Sequence, residues 1–493
     1  MPGLLSLDLG TTSAKAALIS LDGRTIATGS AEYPTSRTPD GGAEQDPADW
    51  LRAARTAITG TLPPGALPPD TEIAALCLTG QMQDLVLEGE HGAVRPAVLY
   101  TDQRAGAEAH EIRTALAQAG EDWDALAGNQ QDAASCAAML RRLVPLEPDA
   151  VRTARGIVFG PAGHLAHALG AGLHCDLTTA STTGLLDART RTWSPAVARA
   201  AGIDQAQLPR LTANHGEIVG RTGASAHDLL GLPSGIPIVL APGDAGAAAL
   251  GITGPAPGQD HASLGTSGWI ASIRPVSSPT AVDDAAHRLA LADATELHIA
   301  ALLAAGAAAA WARSAYLGGM DAAGADRLLA QRNCEHGRGP TGLLALPSLG
   351  GERFPVRDEH LRGAVLGLDA STTAADLYTG TLEGVALALS HALDPHDAGR
   401  VLPVVGGGAA SLPWRQLLAD VTGRPVLRAD DTDATLLGAA LAGAEALGLE
   451  HGLIPLAGQG GEVTAPDPSA AAAYAELRPM HRRLYETVAA LAR

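Results

Sequence analysis

The sequence predicts an α/β fold of two lobes with a deep cleft between them. Short strand-forming runs alternate with alanine-rich stretches of helical character along the chain. The first two runs, 4–9 and 14–20, flank a Gly-Thr-Thr-Ser turn and predict a β-hairpin. Residues 262–270 repeat the residue order of 6–14, which predicts a second hairpin of the same kind in the other half of the chain.

Proline and glycine interrupt the chain at 232–235 and again at 241–243, where we expect the first lobe to end. The predicted boundary lies near 250 and divides the 493 residues into lobes 1–250 and 251–493. The apolar run 299–312 is too short to span a bilayer and predicts a buried helix. Further expected elements are strands at 72–78, 84–88 and 236–241, and helices at 47–58 and 105–117.

Charge and cysteine content exclude several classes of function. The chain has 34 basic and 53 acidic residues, a formal net charge of -19, which disfavours binding to nucleic acid or to an anionic membrane. Its four cysteines lie far apart and form no metal-binding or redox pair, and its beginning lacks the charged region of a signal peptide. We therefore expect a cytoplasmic protein with neither nucleic-acid nor membrane partners.

The first predicted hairpin carries groups suited to holding phosphate. Asp8 ends an apolar strand, and Gly10, Thr11, Thr12 and Lys15 follow it. Glycine lets backbone N–H groups approach phosphate oxygens, threonine adds donors, and a carboxylate can hold Mg²⁺. Lys15 is the only lysine of the chain. An ordinary hairpin with an exposed aspartate is the alternative, and the repeated Gly265-Thr266 turn argues against it.

A second carboxylate, Asp244, lies in a glycine-flanked turn directly after an apolar strand. Such an aspartate could accept a proton from a substrate hydroxyl while that oxygen attacks a phosphoryl group. Asp244 could instead be the N-cap of the helix that follows, a frequent position for aspartate. Position alone leaves both interpretations open.

The segment 404–411 is glycine-rich, follows an apolar strand and opens a helical stretch. With Asp430 and Asp431 after the next strand, it approximates a dinucleotide-binding fingerprint, so a Rossmann oxidoreductase is an alternative. That alternative leaves both Gly-Thr hairpins unexplained and has Ser411 where the third glycine would be. A glycine loop packed against adenosine explains the same segment within the two-lobed protein.

Polar residues at the ends of two other apolar runs suit a polyhydroxylated ligand, because sugar hydroxyls need both donors and acceptors. Ordinary loop polarity is the alternative. The chain lacks a histidine metal cluster, a G-x-S-x-G elbow and a G-x-x-x-x-G-K-[ST] loop, which removes the main support for hydrolases and P-loop enzymes. The candidate residues of these two segments are Gln81, Met82, Gln83, Tyr100, Asp102 and Arg104.

Together these segments resemble the FGGY carbohydrate kinases, and most closely their xylulokinase group. The resemblance runs nearly end to end. It includes G-G-A-E-Q-D-P at 41–47, the D-L-T-T-A-S-T-T-G-L-L-D stretch at 176–187, G-E-R-F-P at 351–355 and the glycine segment at 406–416. It implies an actin-like ATPase fold of two RNase-H-like lobes. The implied activity is transfer of the γ-phosphate of ATP, with Mg²⁺, to the terminal hydroxyl of a ketopentose. The best candidate substrate is D-xylulose, which would be phosphorylated at O5.

The resemblance also implies residue roles. Asp244 is the expected catalytic base, Asp8 assists catalysis, and both are expected to hold Mg²⁺. The expected nucleotide contacts are Thr11, Thr12, Lys15, Gly265, Thr266, Gly306, Gly407, Gly408 and Ala409. The expected sugar-binding residues are Gln81, Met82, Gln83, Tyr100, Asp102 and Arg104.

The chain departs from the family pattern at the sugar loop, where Gln83 and Asp84 replace a usual His-Gly pair. Tyr100 replaces a usual tryptophan, and the stretch 135–141 lacks the usual lysine and tryptophan. Two further functions therefore stay open, a kinase for another ketose or a polyol such as ribulose or a related sugar, and a regulator that binds ATP and sugar without turnover. A homodimer is possible.

Overall fold

The computed structural model describes residues 2–62, 72–276, 286–429 and 434–491. Two large β-sheets organise it, one in each half of the chain. We call β1 to α10 the first lobe and β16 to α16 the second lobe. No helix among the described residues is long and apolar enough to cross a membrane.

The strands of the first lobe are β1 (Pro2–Leu9), β2 (Ser13–Ser20), β3 (Thr25–Glu32), β4 (Ser36–Arg37), β5 (Ala43–Gln45), β6 (Glu72–Gly80), β7 (Val86–Glu88), β8 (Ala97–Val98), β9 (Gly156–Val158), β10 (His174–Asp176), β11 (Leu186–Asp187), β12 (Thr192–Trp193), β13 (Arg210–Thr212), β14 (Glu217–Arg221) and β15 (Pro237–Leu240). Its helices are α1 (Pro47–Thr61), α2 (Gly106–Gln118), α3 (Trp123–Ala127), α4 (Cys136–Leu146), α5 (Pro148–Thr153), α6 (Pro161–Ala168), α7 (Leu177–Ala180), α8 (Pro195–Ala201), α9 (Ser225–Leu230) and α10 (Asp244–Thr253).

The strands of the second lobe are β16 (Asp260–Leu264), β17 (Gly268–Pro275), β18 (His287–Ala292), β19 (Thr295–Leu302), β20 (Leu344–Leu346), β21 (Ala364–Leu366), β22 (Leu402–Val405), β23 (Val426–Arg428) and β24 (Val463–Thr464). Its helices are α11 (Gly306–Tyr316), α12 (Ala322–His336), α13 (Ala374–Ser390), α14 (Leu412–Thr422), α15 (Ala434–Leu447) and α16 (Pro468–Leu491). Short 3-10 helices occur at Gln205–Gln207, Pro395–Asp397, Gly407–Ala410 and Leu456–Gly458.

The two sheets share one topology. The first has the order β14-β15-β6-β1-β2-β3 and the second β18-β19-β17-β16-β22-β23-β24. In the first, β1 is antiparallel to β2 and parallel to β6. In the second, β16 is antiparallel to β17 and parallel to β22. The internal duplication predicted from the two Gly-Thr segments is therefore a duplication of the central hairpin of each sheet.

The lobes join through two helices whose backbones touch. A Cβ atom added to Gly251 of α10 would lie 1.9 Å from the Ala434 carbonyl oxygen, and one added to Gly438 of α15 would lie 1.8 Å from the Ala247 carbonyl oxygen. Only glycine permits this approach. Leucines of α15 then pack on the strands of the first-lobe sheet, in one apolar cluster that spans both lobes.

Local sequence accounts for the element boundaries that matter here. Helix α1 begins where the Asp46 carboxylate accepts the Ala48 N–H at 2.9 Å and Pro47 supplies a preset first position. Its buried face carries Trp50, Ala54 and Ile58, spaced four residues apart. The side chain of Trp50 packs under the first sheet and is 1% exposed.

Most predicted elements are present, with ends shifted by a few residues. The prediction of one buried helix over 299–312 was wrong, because β19 (Thr295–Leu302) and α11 (Gly306–Tyr316) share that run. An apolar run does not by itself distinguish a strand from a buried helix, and here pairing of β19 with β17 and β18 decides. Asp430 and Asp431 lie outside the described residues.

Candidate active site

The first Gly-Thr hairpin presents its polar groups at the carboxyl end of β1. Asp8 lies opposite Lys15 in the register of β1 and β2. The Gly10 N–H donates to the Ser13 carbonyl at 3.0 Å and closes the turn. Thr12 and Lys15 are exposed. The hairpin thus offers a hydroxyl and an ammonium group beside a carboxylate.

Gln45, at the end of β5, connects this hairpin to the sugar loop. Its Nε2 donates to the Thr11 carbonyl at 2.8 Å, and its Oε1 accepts the Gln81 Nε2 at 2.9 Å and the Trp50 Nε1 at 2.8 Å. Gln45 is buried. Gln45 was not among the residues predicted to act at the site, although it lies in the G-G-A-E-Q-D-P stretch that carries part of the family resemblance.

The Asp244 turn is held from two sides. The buried Asp176 carboxylate accepts the Gly243 N–H at 2.9 Å, and the Thr79 hydroxyl donates to the Pro242 carbonyl at 2.6 Å. Helix α10 begins at Asp244 itself and its N-cap residue is Gly243. Asp244 is therefore the first helical residue and not the N-cap, although its Oδ1 accepts the Ala245 N–H at 2.7 Å in the first turn of α10. Thr79 and Asp176 thus hold the Asp244 turn in place, a role that their positions at strand ends did not predict.

Asp8 and Asp244 form a carboxylate pair with perturbed proton affinity. Burial raises the pKa of Asp8 to about 6, against a smaller lowering by Lys15. Burial, and then the charge of Asp8, raises the pKa of Asp244 to about 7. The Asp8 Oδ1 atom is buried and has no hydrogen-bond partner among the described residues. A carboxylate with a pKa near neutrality is suited to accept a proton at physiological pH.

The second Gly-Thr hairpin meets the start of α11. The Gly265 carbonyl accepts the Gly306 N–H at 2.9 Å, and the Thr266 carbonyl accepts the Ala305 and Ala307 N–H groups at 3.0 Å. A Cβ atom on Gly306 would lie 2.5 Å from the Gly265 oxygen. Glycine is therefore required at 306, and three predicted nucleotide contacts lie together.

The glycine segment after β22 approaches the same hairpin. Gly406 adopts φ 88°, and Cβ atoms on Gly406 or Gly408 would lie 2.9 and 3.0 Å from the Leu264 carbonyl oxygen. Gly407 is exposed and open. Ala409 is buried in the second-lobe core. Its methyl group faces that core, so a nucleotide contact at 409 would use the backbone.

A polar cavity of about 250 Å³ lies between the lobes beside the sugar loop. Of the six predicted sugar-binding residues, Gln83 and Tyr100 line it. Gln83 adopts φ 65°, and its Nε2 donates to the Ala134 carbonyl at 2.6 Å. The full lining comprises Gln83, Tyr100, Gln103, Asn129, Gln130, Gln131, Asp132, Ala134, Ser135, Ser181, Thr182, His287, Leu289, Arg353 and Arg357.

The other four predicted sugar-binding residues lie around this cavity. The Met82 side chain lies against the Asp244 turn, since a Cβ atom on Gly243 would be 2.3 Å from the Met82 Cγ. Gln81 is buried against Gln45. Asp102 is buried, and its Oδ2 accepts the Ala43 N–H at 2.9 Å and pairs with Arg104 at 2.7 Å. Arg104 also pairs with Glu44 at 2.6 Å, so Asp102 and Arg104 form a structural network behind the cavity.

Family models match both halves of the chain. The N-terminal domain of the FGGY family of carbohydrate kinases matches residues 4–251, and its C-terminal domain matches 261–447. The chain belongs to the FGGY family of carbohydrate kinases. It is therefore a phosphotransferase of a family that takes its phosphoryl group from ATP. Membership also excludes the Rossmann oxidoreductase alternative.

Several members of the FGGY family are similar over nearly the whole chain. Xylulose kinase of Escherichia coli (strain K12) is 28% identical over 98% of this chain and 98% of its own length. Xylulose kinase of Streptomyces rubiginosus is 31% identical over 92% of this chain and 90% of its own. The crystal structure of xylulose kinase from Rhodospirillum rubrum superimposes with a TM-score of 0.87 at 27% identity, covering 99% of both chains. The predicted fold of two actin-like lobes is confirmed.

Proposed function

We propose that this FGGY kinase transfers the γ-phosphate of ATP to the terminal hydroxyl of a ketopentose, with D-xylulose giving D-xylulose 5-phosphate. The observation that carries the proposal is the position of Asp244. Its carboxyl has a raised pKa and lies within the electrostatic influence of Asp8 on the first hairpin, and the preceding residue, Gly243, lies against Met82 of the sugar loop. The similar xylulose kinases of Escherichia coli and Streptomyces rubiginosus support the choice of sugar.

Asp244 would accept the proton of the attacked hydroxyl as that oxygen forms its bond to the γ-phosphorus. Phosphoryl transfer depends mainly on positioning and on neutralising the charge of the transferring group. Thr12 and Lys15 of the first hairpin and Thr266 of the second would supply donors from opposite lobes. Closure of the lobes would keep water from the γ-phosphate, because an exposed phosphate would be hydrolysed without an acceptor.

The carboxylates fit a divalent cation. Asp8 and Asp244 repel each other, and no arginine pairs with either among residues 2–62, 72–276, 286–429 and 434–491. The unpartnered Asp8 Oδ1 is an oxygen donor of the kind that Mg²⁺ prefers. Bound Mg²⁺ would neutralise phosphate charge, and Asp8 and Asp244 would hold it, directly or through water.

On the nucleotide side, the proposal assigns Gly265, Thr266 and Gly306 to the phosphates and Gly407, Gly408 and Ala409 to the adenosine. Gly306 lies against Gly265, and Gly408 lies against Leu264, so closely that neither position has room for a side chain. Backbone N–H groups without side chains can approach phosphate and ribose oxygens. Thr11 would contribute through its backbone and its hydroxyl, which lies 3.4 Å from the Tyr100 phenol.

On the sugar side, Gln83, Met82 and Tyr100 would contact the acceptor directly. Gln81 would act through Gln45, and Asp102 with Arg104 would hold the loop that carries Tyr100. The Gln83 amide offers both a donor and an acceptor, as a neutral histidine would. Because it is not the histidine usual in this group, a kinase for another ketose or a polyol such as ribulose or a related sugar is the second candidate.

The deciding experiment measures ADP production with ATP and Mg²⁺ across pentuloses, hexuloses, aldoses and polyols, with Asp244→Ala as control. We expect a strong preference for D-xylulose. Preference for another sugar would keep the kinase and change the substrate. If the protein binds ATP but produces no ADP with any compound of the panel, it would be a sugar- and ATP-binding regulator, and the proposal would be contradicted.

The proposal retains the division at residue 250 into an acceptor-binding lobe 1–250 and a nucleotide-binding lobe 251–493. The cytoplasmic location and the homodimer stay predictions. Light scattering on the purified protein, at concentrations from 1 to about 100 times those of the assay, would test the dimer.

A further inference from the structure

The cavity beside the sugar loop has two chemically different walls. The first-lobe wall carries amides, such as Gln83 and Asn129, and the carboxylate of Asp132. The second-lobe wall carries the guanidinium groups of Arg353 and Arg357. Two arginines against one aspartate leave the cavity with an excess of positive charge, in a chain whose net charge is -19.

Beside the cavity, side chains of the first lobe form hydrogen bonds with the backbone of β18, the edge strand of the second-lobe sheet. The Asn129 side-chain amide pairs with the backbone of Arg288, donating to its carbonyl at 2.7 Å and accepting its N–H at 2.8 Å. The Ser181 hydroxyl accepts the Ala290 N–H at 2.9 Å, and the Thr178 hydroxyl donates to the Ala290 carbonyl at 2.9 Å. Strand β18 is thereby fixed as a wall of the cavity.

The alternation of a β-strand turns His287 and Leu289 of β18 toward the cavity. Burial and then the charges of Arg357 and Arg353 lower the pKa of His287 to about 4, so its imidazole is neutral at pH 7. His287 therefore does not compete with the arginines as a cation, and Asp132 also faces it.

Neither arginine is committed to a protein carboxylate. In the part of the chain that the structure describes, neither guanidinium group takes part in an ion pair or a hydrogen bond, and what the Glu352 carboxylate accepts from Arg353 is its backbone N–H, at 3.0 Å. Arg357 is half-buried and Arg353 is exposed. A guanidinium group donates through five N–H groups and accepts nothing. Its best partner is an oxygen that accepts without donating, as in a carbonyl or a carboxylate.

We propose that Arg357, assisted by Arg353, forms a subsite for an sp² oxygen at the non-reacting end of the acceptor. The inference rests on the proposed function and deepens it, because it assigns the acceptor to the ketoses or sugar acids and separates it from alditols. An alditol presents a hydroxyl where the ketose has its carbonyl, and that hydroxyl must also donate, whereas the two guanidinium groups offer it no acceptor.

The test compares four ligands that differ at one end of a five-carbon chain. D-xylulose carries a C2 carbonyl, xylitol and D-arabitol are its two alcohols at that carbon, and D-xylonate carries a C1 carboxylate. Binding to the full chain is measured by calorimetry without nucleotide, for wild type, Arg357→Gln and Arg357→Lys. Arg152→Gln is the matched control, since Arg152 is exposed and its ion pair among the described residues is with the exposed Asp149.

We expect the wild type to bind D-xylulose or D-xylonate at least tenfold more tightly than either alditol. Arg357→Gln should remove that preference and leave alditol affinity within about twofold, Arg357→Lys should retain part of it, and Arg152→Gln should retain all of it. A larger loss for D-xylonate than for D-xylulose would identify the carboxylate as the group bound. Unfolding temperatures of the variants establish that they are folded.

The inference is overturned if the alditols bind as tightly as D-xylulose and D-xylonate, if none of the four binds, or if Arg357→Gln keeps the preference. It fails separately from the proposed function. A wild type that discriminates through Arg357 but phosphorylates D-xylonate and not D-xylulose would retain the subsite and refute the ketopentose kinase. A wild type that phosphorylates D-xylulose with an unaffected Arg357→Gln variant would do the reverse.

Discussion

The Asp176 carboxylate accepts the backbone N–H of Gly243 at 2.9 Å, and this bond holds the turn that carries Asp244. The same oxygen accepts the Thr179 N–H at 2.9 Å, so one buried carboxylate joins α7 to the start of α10. Asp244 therefore has its position fixed by residues 67 or more positions earlier in the chain.

Replacing Asp244 by alanine should remove the base. We expect kcat to fall by about 10²- to 10⁴-fold, the usual contribution of a positioned general base. ATP binding should change little, because the nucleotide contacts lie on the hairpins and the second lobe. Single-turnover kinetics and nucleotide titration measure the two effects. Turnover near the wild-type rate would exclude Asp244 as the base.

Asp244→Asn should stabilise the protein without metal at pH 8. The pKa of Asp244 is raised from 3.8 in the unfolded chain to about 7 in the fold. Ionising it therefore costs stability, progressively as the pH rises from about 4 to 7, and the amide removes that cost. We expect a gain of about 4 kcal/mol at pH 8 and about 1 kcal/mol at pH 4.5.

The same pair of proteins tests the cation. Millimolar Mg²⁺ should raise the unfolding temperature of the wild type at pH 8, since it binds the folded carboxylates. Asp244→Asn should show a smaller rise. Equal stabilisation of both proteins by Mg²⁺, measured by scanning calorimetry, would separate Asp244 from the cation site.

Gly306→Ala should weaken nucleotide binding selectively. The added methyl group would lie 2.5 Å from the Gly265 carbonyl oxygen and must displace the second hairpin from α11. Overpacking of this kind costs about 1 to 3 kcal/mol, so the KM for ATP should rise by about ten- to a hundredfold. Acceptor affinity should be preserved.

Gly223→Ala is the matched control for Gly306→Ala, because a Cβ atom there meets no atom within 4 Å. Its kinetics should equal those of the wild type. An unchanged KM for ATP in Gly306→Ala would mean that the hairpin does not bind phosphate in the observed position.

Gln45→Met should destabilise the protein and weaken binding of both ATP and the sugar. The change removes the donor to the Thr11 carbonyl and leaves the Trp50 and Gln81 N–H groups buried without their acceptor. We expect the free energy of unfolding to fall by about 2 to 4 kcal/mol, since an unmet buried polar group costs about 1 to 3 kcal/mol. Urea denaturation measures it.

In the folded fraction of Gln45→Met, the KM values for ATP and for the sugar should both rise. A change in only one of them would contradict the connecting role of Gln45. Gln131→Met is a useful comparison, because Gln131 lines the cavity and its side-chain amide donates locally, to the Asn129 carbonyl at 2.9 Å, while its bonds to Asp124 and Arg113 use the backbone and survive the change.

Local residue order was enough to predict the two Gly-Thr hairpins, the strands before Asp8 and Asp244, and the α/β class. Strand-forming runs interrupted by glycine depend only on neighbouring residues, so they can be recognised without knowledge of the fold. The run 299–312 was misassigned because apolar composition is the same in a central strand and a buried helix. Only pairing of β19 with β17 and β18 distinguishes them.

The residue types that carry the chemistry were therefore readable in the sequence, and their resemblance to a known family assigned them roles. Only the tertiary structure shows which of these residues line the same cavity and which are buried behind it. Gln81 and Asp102 are strand-end polar residues like Gln83, yet packing buries them in the support of the site. Arg357 and His287 come from distant segments and line the same cavity as Gln83, and Asn129 and Ser181 bind the edge of the strand β18 that carries His287. Contacts between the lobes depend on how the two lobes pack against each other, and the order of residues along the chain does not specify that packing.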